Sequence, residues 1–501
     1  MILLSEILLL LPEITLLLFA FVILFTDMFT NKQNIGPTIA TFGVGISALS
    51  VLLMYLGLFG STEISSLALA NIISVDHYSL FFKLVMLIAA LSLCLCSISL
   101  FDEGITSRGE FWTLFLLSLI GMIMLPSTTE MITTWVALEL TSLPIVGMLA
   151  LSEKKYSLEV ALKYLVLGAT SSAIILMGIA YLYGITGSTF FSDIASITTG
   201  QIESRYFSSG STNLLLLFSV ILLVAGVSFK IASFPFFSWV PDVYQGAPTL
   251  VTIYLSVVSK IAGFAILIRI LFEAVNRSSA SDWAFFIAIM SLISMILGNI
   301  MAIRQVDIKR LFAYSTIAHA GYILIGVASI KSSASIENNL LGLQSTIFYL
   351  VAYAVTNLTG FLCILSISEK IKSTAIEDFS GIGFSLKSQA VILSISLISL
   401  LGIPTTIGFM GKAFIFSSAI SNGFYWLAIA GIVNSIISAY YYVRIIKIMF
   451  IDEPKDSHTI ARSNDIYSLV VTSLGVVIIF IIGLAPVILL DIVESVVNSF
   501  V

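Results

Sequence analysis

Residues 213–242 read NLLLLFSVILLVAGVSFKIASFPFFSWVPD, and the only charge between Asn213 and Asp242 is Lys230. The run has no period-2 alternation and is far longer than a buried strand, so it reads as a helix. It exceeds the roughly 20 apolar residues needed to cross hydrocarbon. Two features set it apart from an ordinary membrane helix. Lys230 places an ionisable group among apolar neighbours, and Pro235 cannot donate to the carbonyl of Ile231. A broken membrane helix frees carbonyls that need polar partners, which hydrocarbon cannot supply.

The rest of the chain repeats this chemistry. Of 501 residues, 58% are hydrophobic and 10% charged, against about 25% charged in a soluble domain. Too few charges exist to coat soluble domains, so the surface faces lipid and the backbone is satisfied within helices. Spans are expected near 7–26, 37–60, 78–100, 110–126, 128–150, 159–184 and 213–240. They continue near 248–272, 283–303, 308–330, 343–367, 388–420, 424–450 and 466–491. The expected fold is all-α, a polytopic membrane domain of about fourteen transmembrane helices. The Ser-, Thr- and Gly-rich stretch 185–212 is the longest expected loop. Pro12 and Glu13 sit in an apolar first helix without a basic leader, so that helix reads as retained.

Lysine and arginine give an orientation. With the N-terminus outside, the inner loops hold thirteen: Lys32, Arg108, Lys154, Lys155, Arg304, Lys309, Arg310, Lys370, Lys372, Lys387, Lys447, Lys455 and Arg462. The outer loops hold four: Arg205, Arg269, Arg277 and Lys331. By the positive-inside rule both termini are expected outside. Asn276–Arg277–Ser278 forms a glycosylation triplet in an outer loop.

An ionisable residue at mid-membrane costs about 2.5–3.5 kcal/mol on insertion scales and is a functional candidate by default. Glu139 lies in the fifth span, Lys230 in the seventh, Lys260 in the eighth, His319 in the tenth and Lys412 in the twelfth. Arg444, in the thirteenth, is nearer an end and suits an interfacial anchor. Glu139 and His319 stand 180 residues apart, Lys230 and Lys412 182, and Lys260 and Arg444 184. Each pair is offset by five spans. An odd offset reverses the crossing direction, so two inverted five-helix repeats are expected, spans 4–8 and 9–13, with broken spans 7 and 12. Within a single membrane domain, 1–501, residues 1–105 precede the repeats, 106–275 and 276–455 form them, and 456–501 hold the last helix. A lone histidine can serve packing alone, and Gly402, Gly408 and Gly411 can serve close helix contact. Three charges at mid-depth, Glu139, Lys230 and Lys260, exceed what packing needs.

Other chemistry is missing from the sequence. Cys94, Cys96 and Cys363 make no CxxC and suit packing. There is no GxGxxG unit and no P-loop, and the net charge of −5 offers nothing to nucleic acid. The chain is equipped to move charge rather than electrons.

The segments FKIASFPFFSWVPDVYQGAPTLVT (229–252), EVALKYLVLGATSSAIILMGIAYLYGITGS (159–188), IKRLFAYSTIAHAGY (308–322) and GIPTTIGFMGKAFIF (402–416) carry a resemblance. They are similar to the antiporter-like membrane subunits of respiratory complex I, the proton-pumping NADH:quinone oxidoreductase, and most to its subunit 2 branch. The resemblance runs from about residue 75 to 450, with Phe237 where a His is usual and Leu250 where a Pro is usual. It implies an enzyme subunit that translocates protons while quinone is reduced elsewhere in the complex. NADH, FMN, iron–sulfur clusters and quinone would then belong to partner subunits, with no cofactor in this chain. Glu139 and Lys230 match that family's helix 5 and helix 7 pair, Lys260 its helix 8 lysine and Lys412 its helix 12 lysine; His319 would link the last two. The membrane would be a mitochondrial inner membrane or a bacterial plasma membrane, with both termini on the intermembrane or periplasmic side. A subunit of a multi-subunit Na⁺/H⁺ antiporter and a purely structural membrane subunit are the rival expectations.

Overall fold

The computed structural model describes residues 7–29, 35–58, 66–68, 71–100, 105, 107–153, 156–198, 210–275, 280–330, 336–454 and 466–499. Lys32, Lys154, Lys155, Arg205, Arg277, Lys331, Lys455, Arg462 and the Asn276 triplet lie outside them. Among the described residues, 13 helices are long and apolar enough to cross a membrane. Two shorter apolar helices, Lys387–Leu401 and Ile407–Ser421, stand where the span near 388–420 was expected.

In chain order the helices are α1 (Leu11–Phe29), α2 (Ile35–Tyr55), α3 (His77–Ser97), α4 (Arg108–Met124), α5 (Met131–Ala150) and α6 (Ser157–Thr186). They continue with α7 (Phe191–Thr198), α8 (Gly210–Ile231), α9 (Trp239–Gly246), α10 (Thr249–Ser256), α11 (Val258–Arg269), α12 (Ala280–Ile303) and α13 (Ile308–Ala328). The last are α14 (Ile336–Ile371), α15 (Lys387–Leu401), α16 (Ile407–Ser421), α17 (Tyr425–Phe450), α18 (Ile466–Leu484) and α19 (Val487–Asn498).

Several expectations need correction. Two three-residue strands, β1 (Ser66–Ala68) and β2 (Ile73–Val75), pair antiparallel between α2 and α3. The short helix α7 occupies part of the expected loop 185–212. The last expected span is two helices, because Pro486 cannot continue α18 and instead caps α19. Arg269, taken as an outer-loop residue, is buried at the end of α11 with two carboxylates.

Burial grades from centre to rim. The Thr249–Ala274 span, α13 and most of α14 are interior, 100%, 94% and 89% buried, whereas α1, α6 and α18 are 28% or less and form the rim. Glycine sets the closest contacts. A Cβ on Gly298 would stand 2.6 Å from the backbone nitrogen of Ala318, so α12 and α13 approach almost backbone to backbone. At the opposite face Tyr78 of α3 donates to the carbonyl of Ala265 at 2.7 Å, which fixes α3 on α11.

Both expected breaks are present, and each starts with a residue in left-handed backbone, an alanine at the first and a glycine at the second. α8 ends at Ile231, Ala232 takes a positive φ of 59°, and the peptide before Pro235 is cis. α15 ends at Leu401, followed by Gly402 with φ 89° and Thr405 with φ 78°. Protein groups take up part of the freed backbone. Trp239 Nε1 donates to the carbonyl of Phe229 at 3.2 Å, and Ser294 Oγ accepts from the amide of Phe234 at 3.0 Å.

Candidate functional site

Four of the five residues singled out from the sequence are buried: Lys230 at 4% exposure, Lys260 at 0%, His319 at 3% and Lys412 at 5%. Glu139 is half-buried. Such burial is tolerable for a charge only with polar partners, and each lysine has a different set.

Lys230, in the last turn of α8, donates to Ser142 Oγ of α5 at 2.8 Å and to the Tyr164 hydroxyl of α6 at 3.4 Å. Glu139, one turn before Ser142, is not in hydrogen-bond contact with Lys230 but acts on it through space. The two are therefore a separated pair with a serine at the junction. Sequence reasoning found the charges and missed Ser142 and Tyr164, since a serine or a tyrosine in an apolar helix carries no mark.

Lys260 sits just past Val257, where the eighth span is divided into α10 and α11. Its ammonium donates to the Thr316 carbonyl of α13 at 2.6 Å and lies 5.0 Å from the centre of the Tyr353 ring. No carboxylate partners it among the described residues. The aromatic face supplies the negative potential instead.

His319 lies one turn beyond Thr316, on α13. Its Nδ1 is 2.7 Å from the Tyr349 hydroxyl of α14, and its Nε2 is 3.1 Å from the Tyr442 hydroxyl of α17. Lys260 and Lys412 both act electrostatically on the ring, so the structure does bring these three groups together.

Lys412 belongs to α16 but reaches back across the break. Its ammonium donates to the carbonyls of Leu400 and Leu401 at 2.9 and 2.8 Å and to Ser435 Oγ at 2.9 Å, over the Tyr322 ring at 4.9 Å. A cation is favoured at the C-terminal end of a helix, where unpaired carbonyls collect. Lys230 precedes its break and Lys412 follows its own, so the two are not placed alike. Arg444 donates weakly to the carbonyls of Ile303 and Gln305 at 3.4 Å, in keeping with an anchor at a helix end.

Further charges outside this line were not foreseen. Lys83 of α3 pairs with Glu13 of α1 at 2.7 Å, both buried. Arg269 pairs with Asp76 at 2.5 Å and with Glu273 at 3.1 Å, and also donates to the Pro126 carbonyl. Asp76 is at the same time the N-cap of α3, with Oδ1 accepting from the Ser79 amide at 2.7 Å. A cavity of about 520 Å³ opens beside Glu273, lined also by Asn71, Thr129 and Asp193. Near its rim Glu130 caps α5; burial raises its carboxyl, but hydrogen bonds from Thr189, Thr133 and the Ile132 amide outweigh that and hold it below the usual range. Among the described residues no three His, Cys, Asp or Glu side chains converge to hold a metal ion.

Residues 128–438 match the family described as NADH:quinone oxidoreductase/Mrp antiporter, TM. The chain is similar to the NADH-quinone oxidoreductase subunit N of Dehalococcoides mccartyi, 34% identical over 97% of this chain and 98% of that one. The subunit N of Heliobacterium modesticaldum is 35% identical over 82% of this chain and 83% of its own. Among solved structures, a chain of respiratory complex I from Thermus thermophilus with bound aureothin matches at TM-score 0.77 and 28% identity, covering 96% of this chain and 98% of that one. A chain of the Mrp complex from Dietzia sp. shares the fold, with TM-score 0.82 at 18% identity over 99% and 98% of the two chains.

Proposed function

The chain belongs to the NADH:quinone oxidoreductase/Mrp antiporter membrane family, and from that premise we propose that its buried lysines and His319 carry protons. It is an antiporter-like membrane subunit of NADH-quinone oxidoreductase, and its partners are the other subunits of that complex. The proposed path runs from the Glu139–Lys230 pair through Lys260 and His319 to Lys412. It is built on two inverted five-helix repeats, 106–275 and 276–455, in an energy-transducing membrane with both termini on the outer side. Redox groups and quinone belong to the partner subunits in this reading.

The observation that carries it is Lys260. A fully buried ammonium held by one carbonyl and one aromatic face, with no counter-ion among the described residues, is an expensive way to join two helices. The neutral amine is cheap there, and a group that exchanges readily between the two forms can pass a proton on. Glu139 acts at the head of the path: its charge favours the ammonium of Lys230, and any motion that separates them releases the proton toward Lys260.

The test is Lys260→Met in the assembled complex, with proton uptake by vesicles measured beside NADH:quinone reductase turnover. Pumping should fall about a hundredfold or more, in the usual range for removing a proton-transfer group, while assembly on native gels is retained. Wild-type pumping by that variant overturns the relay. Sodium-driven proton exchange by the purified subunit without NADH would favour an autonomous antiporter instead.

A further inference from the structure

Both nitrogens of His319 are engaged by tyrosine hydroxyls, and neither contacts a lysine. Tyr349 meets Nδ1 at 2.7 Å and Tyr442 meets Nε2 at 3.1 Å. The Tyr442 hydroxyl is also 2.5 Å from Ser315 Oγ, one turn earlier on α13. Lys260 and Lys412, although near enough to act on the ring electrostatically, spend their hydrogen bonds on Thr316 and on Leu400, Leu401 and Ser435. We propose that Tyr442 and Tyr349 are themselves relay residues, and that His319 passes a proton between them by exchanging tautomers. This rests on the proton-carrying reading above and goes beyond it, since the sequence suggested a direct step between lysines through the ring.

A neutral imidazole has one donor and one acceptor nitrogen, and a hydroxyl can be either. The chain Ser315–Tyr442–His319–Tyr349 therefore has two complete polarities. In one, Ser315 donates to Tyr442, Tyr442 to Nε2, and Nδ1–H to Tyr349. In the other every bond is reversed. Conversion of the first into the second is proton transfer: Nε2 takes the Tyr442 proton, Tyr442 takes that of Ser315, and Nδ1 gives its proton to Tyr349, whose own hydroxyl proton leaves. One proton enters at Ser315 and one departs at Tyr349, with no charge left on any ring and no electrons moved. A charged imidazole would stand between two ammonium groups, and the neutral exchange avoids it.

The packing holds this chain in register. A Cβ on Gly411 would collide with the Tyr349 ring, so only glycine lets that ring lie against α16 with its hydroxyl on His319. Tyr442 is fixed by the neighbouring Tyr441, ring centres 4.4 Å apart, whose hydroxyl donates to Asn299 Oδ1 at 2.9 Å. Tyr349 therefore delivers its proton beside the helix that bears Lys412.

The experiment uses the whole complex in vesicles, with Tyr442→Phe, Tyr349→Phe and their double variant. Each keeps the ring and removes the hydroxyl. Each single variant should pump about a hundredfold less, and the double variant no worse than either, because one missing link already opens the chain. Tyr244→Phe removes a buried hydroxyl of α9 that makes no hydrogen bond among the described residues and lies outside the chain, and should pump as wild type. Losses that multiply in the double variant, or an equal loss in Tyr244→Phe, would mark a packing role and overturn the proposal. If a Phe variant does not assemble, Ser315→Ala gives the same reading from the far end, since it removes a hydroxyl and no ring. Lys260→Met run in parallel separates the two claims. Normal pumping there sinks the relay as a whole, whereas its loss beside normal pumping in Tyr442→Phe and Tyr349→Phe sinks only the tyrosine steps.

Discussion

Two acid–lysine pairs in this protein differ in geometry, and the difference predicts opposite responses to mutation. Glu13 and Lys83 form a direct buried bridge at 2.7 Å. Lys83→Met leaves the Glu13 carboxylate without its counter-ion, a loss of roughly 3–5 kcal/mol, whereas adding Glu13→Gln should recover most of it. Thermal unfolding in detergent reads both, and equal stability of single and double variants would contradict the bridge. Glu139 and Lys230 do not touch, so Glu139→Gln should leave assembly unchanged and slow pumping, with Glu139→Asp slowing it less. A disassembled Glu139→Gln complex would show that the pair is structural after all. The charged members of the site were legible in the sequence because hydrocarbon makes any ionisable group conspicuous. Their partners were not. Ser142, Tyr164, Tyr349 and Tyr442 are ordinary in apolar helices, and only the fold reveals which of them face a lysine or His319.

The broken crossings were legible as elements and misjudged in detail. Pro235 announced the first interruption, but the helices end at Ile231 and Leu401, where the chain enters positive φ at Ala232 and Gly402. What closes the second break is the Lys412 ammonium, with three donors for Leu400, Leu401 and Ser435. Gly402→Ala forces a Cβ into left-handed backbone, about 1–2 kcal/mol, and sets it 3.0 Å from Lys412 Cδ. It should lower stability and pumping together. Lys412→Arg separates the two roles, because guanidinium can still cap carbonyls but does not deprotonate. That variant should assemble and turn over quinone while pumping poorly; full pumping would show that Lys412 only caps.

For the molecule as a whole, the number and order of crossings followed from apolar run length, which is the strongest signal a membrane chain offers. The short hairpin of β1 and β2 did not, since three-residue strands carry no long apolar run, and neither did the division at Pro486 that makes α19 a separate helix within an unbroken apolar stretch. Orientation remains open to direct measurement. Cysteines at the exposed positions Glu153 and Lys372 should react with an impermeant reagent from the inner side only, and one at Ser192 from the outer side only. Labelling of all three from one side would overturn the inverted repeats. The depth of the buried groups has an electrical consequence. Lys260 is eleven residues from Thr249, which opens its crossing, and His319 is eleven from Ile308, which opens the crossing after next in the same direction. The two therefore lie at nearly one level. Carrying an elementary charge across the full membrane against 100 mV takes about 2.3 kcal/mol, but a proton moving along a level line crosses almost none of that voltage. The membrane potential therefore opposes entry and exit, and leaves the step from Lys260 to His319 nearly equipotential.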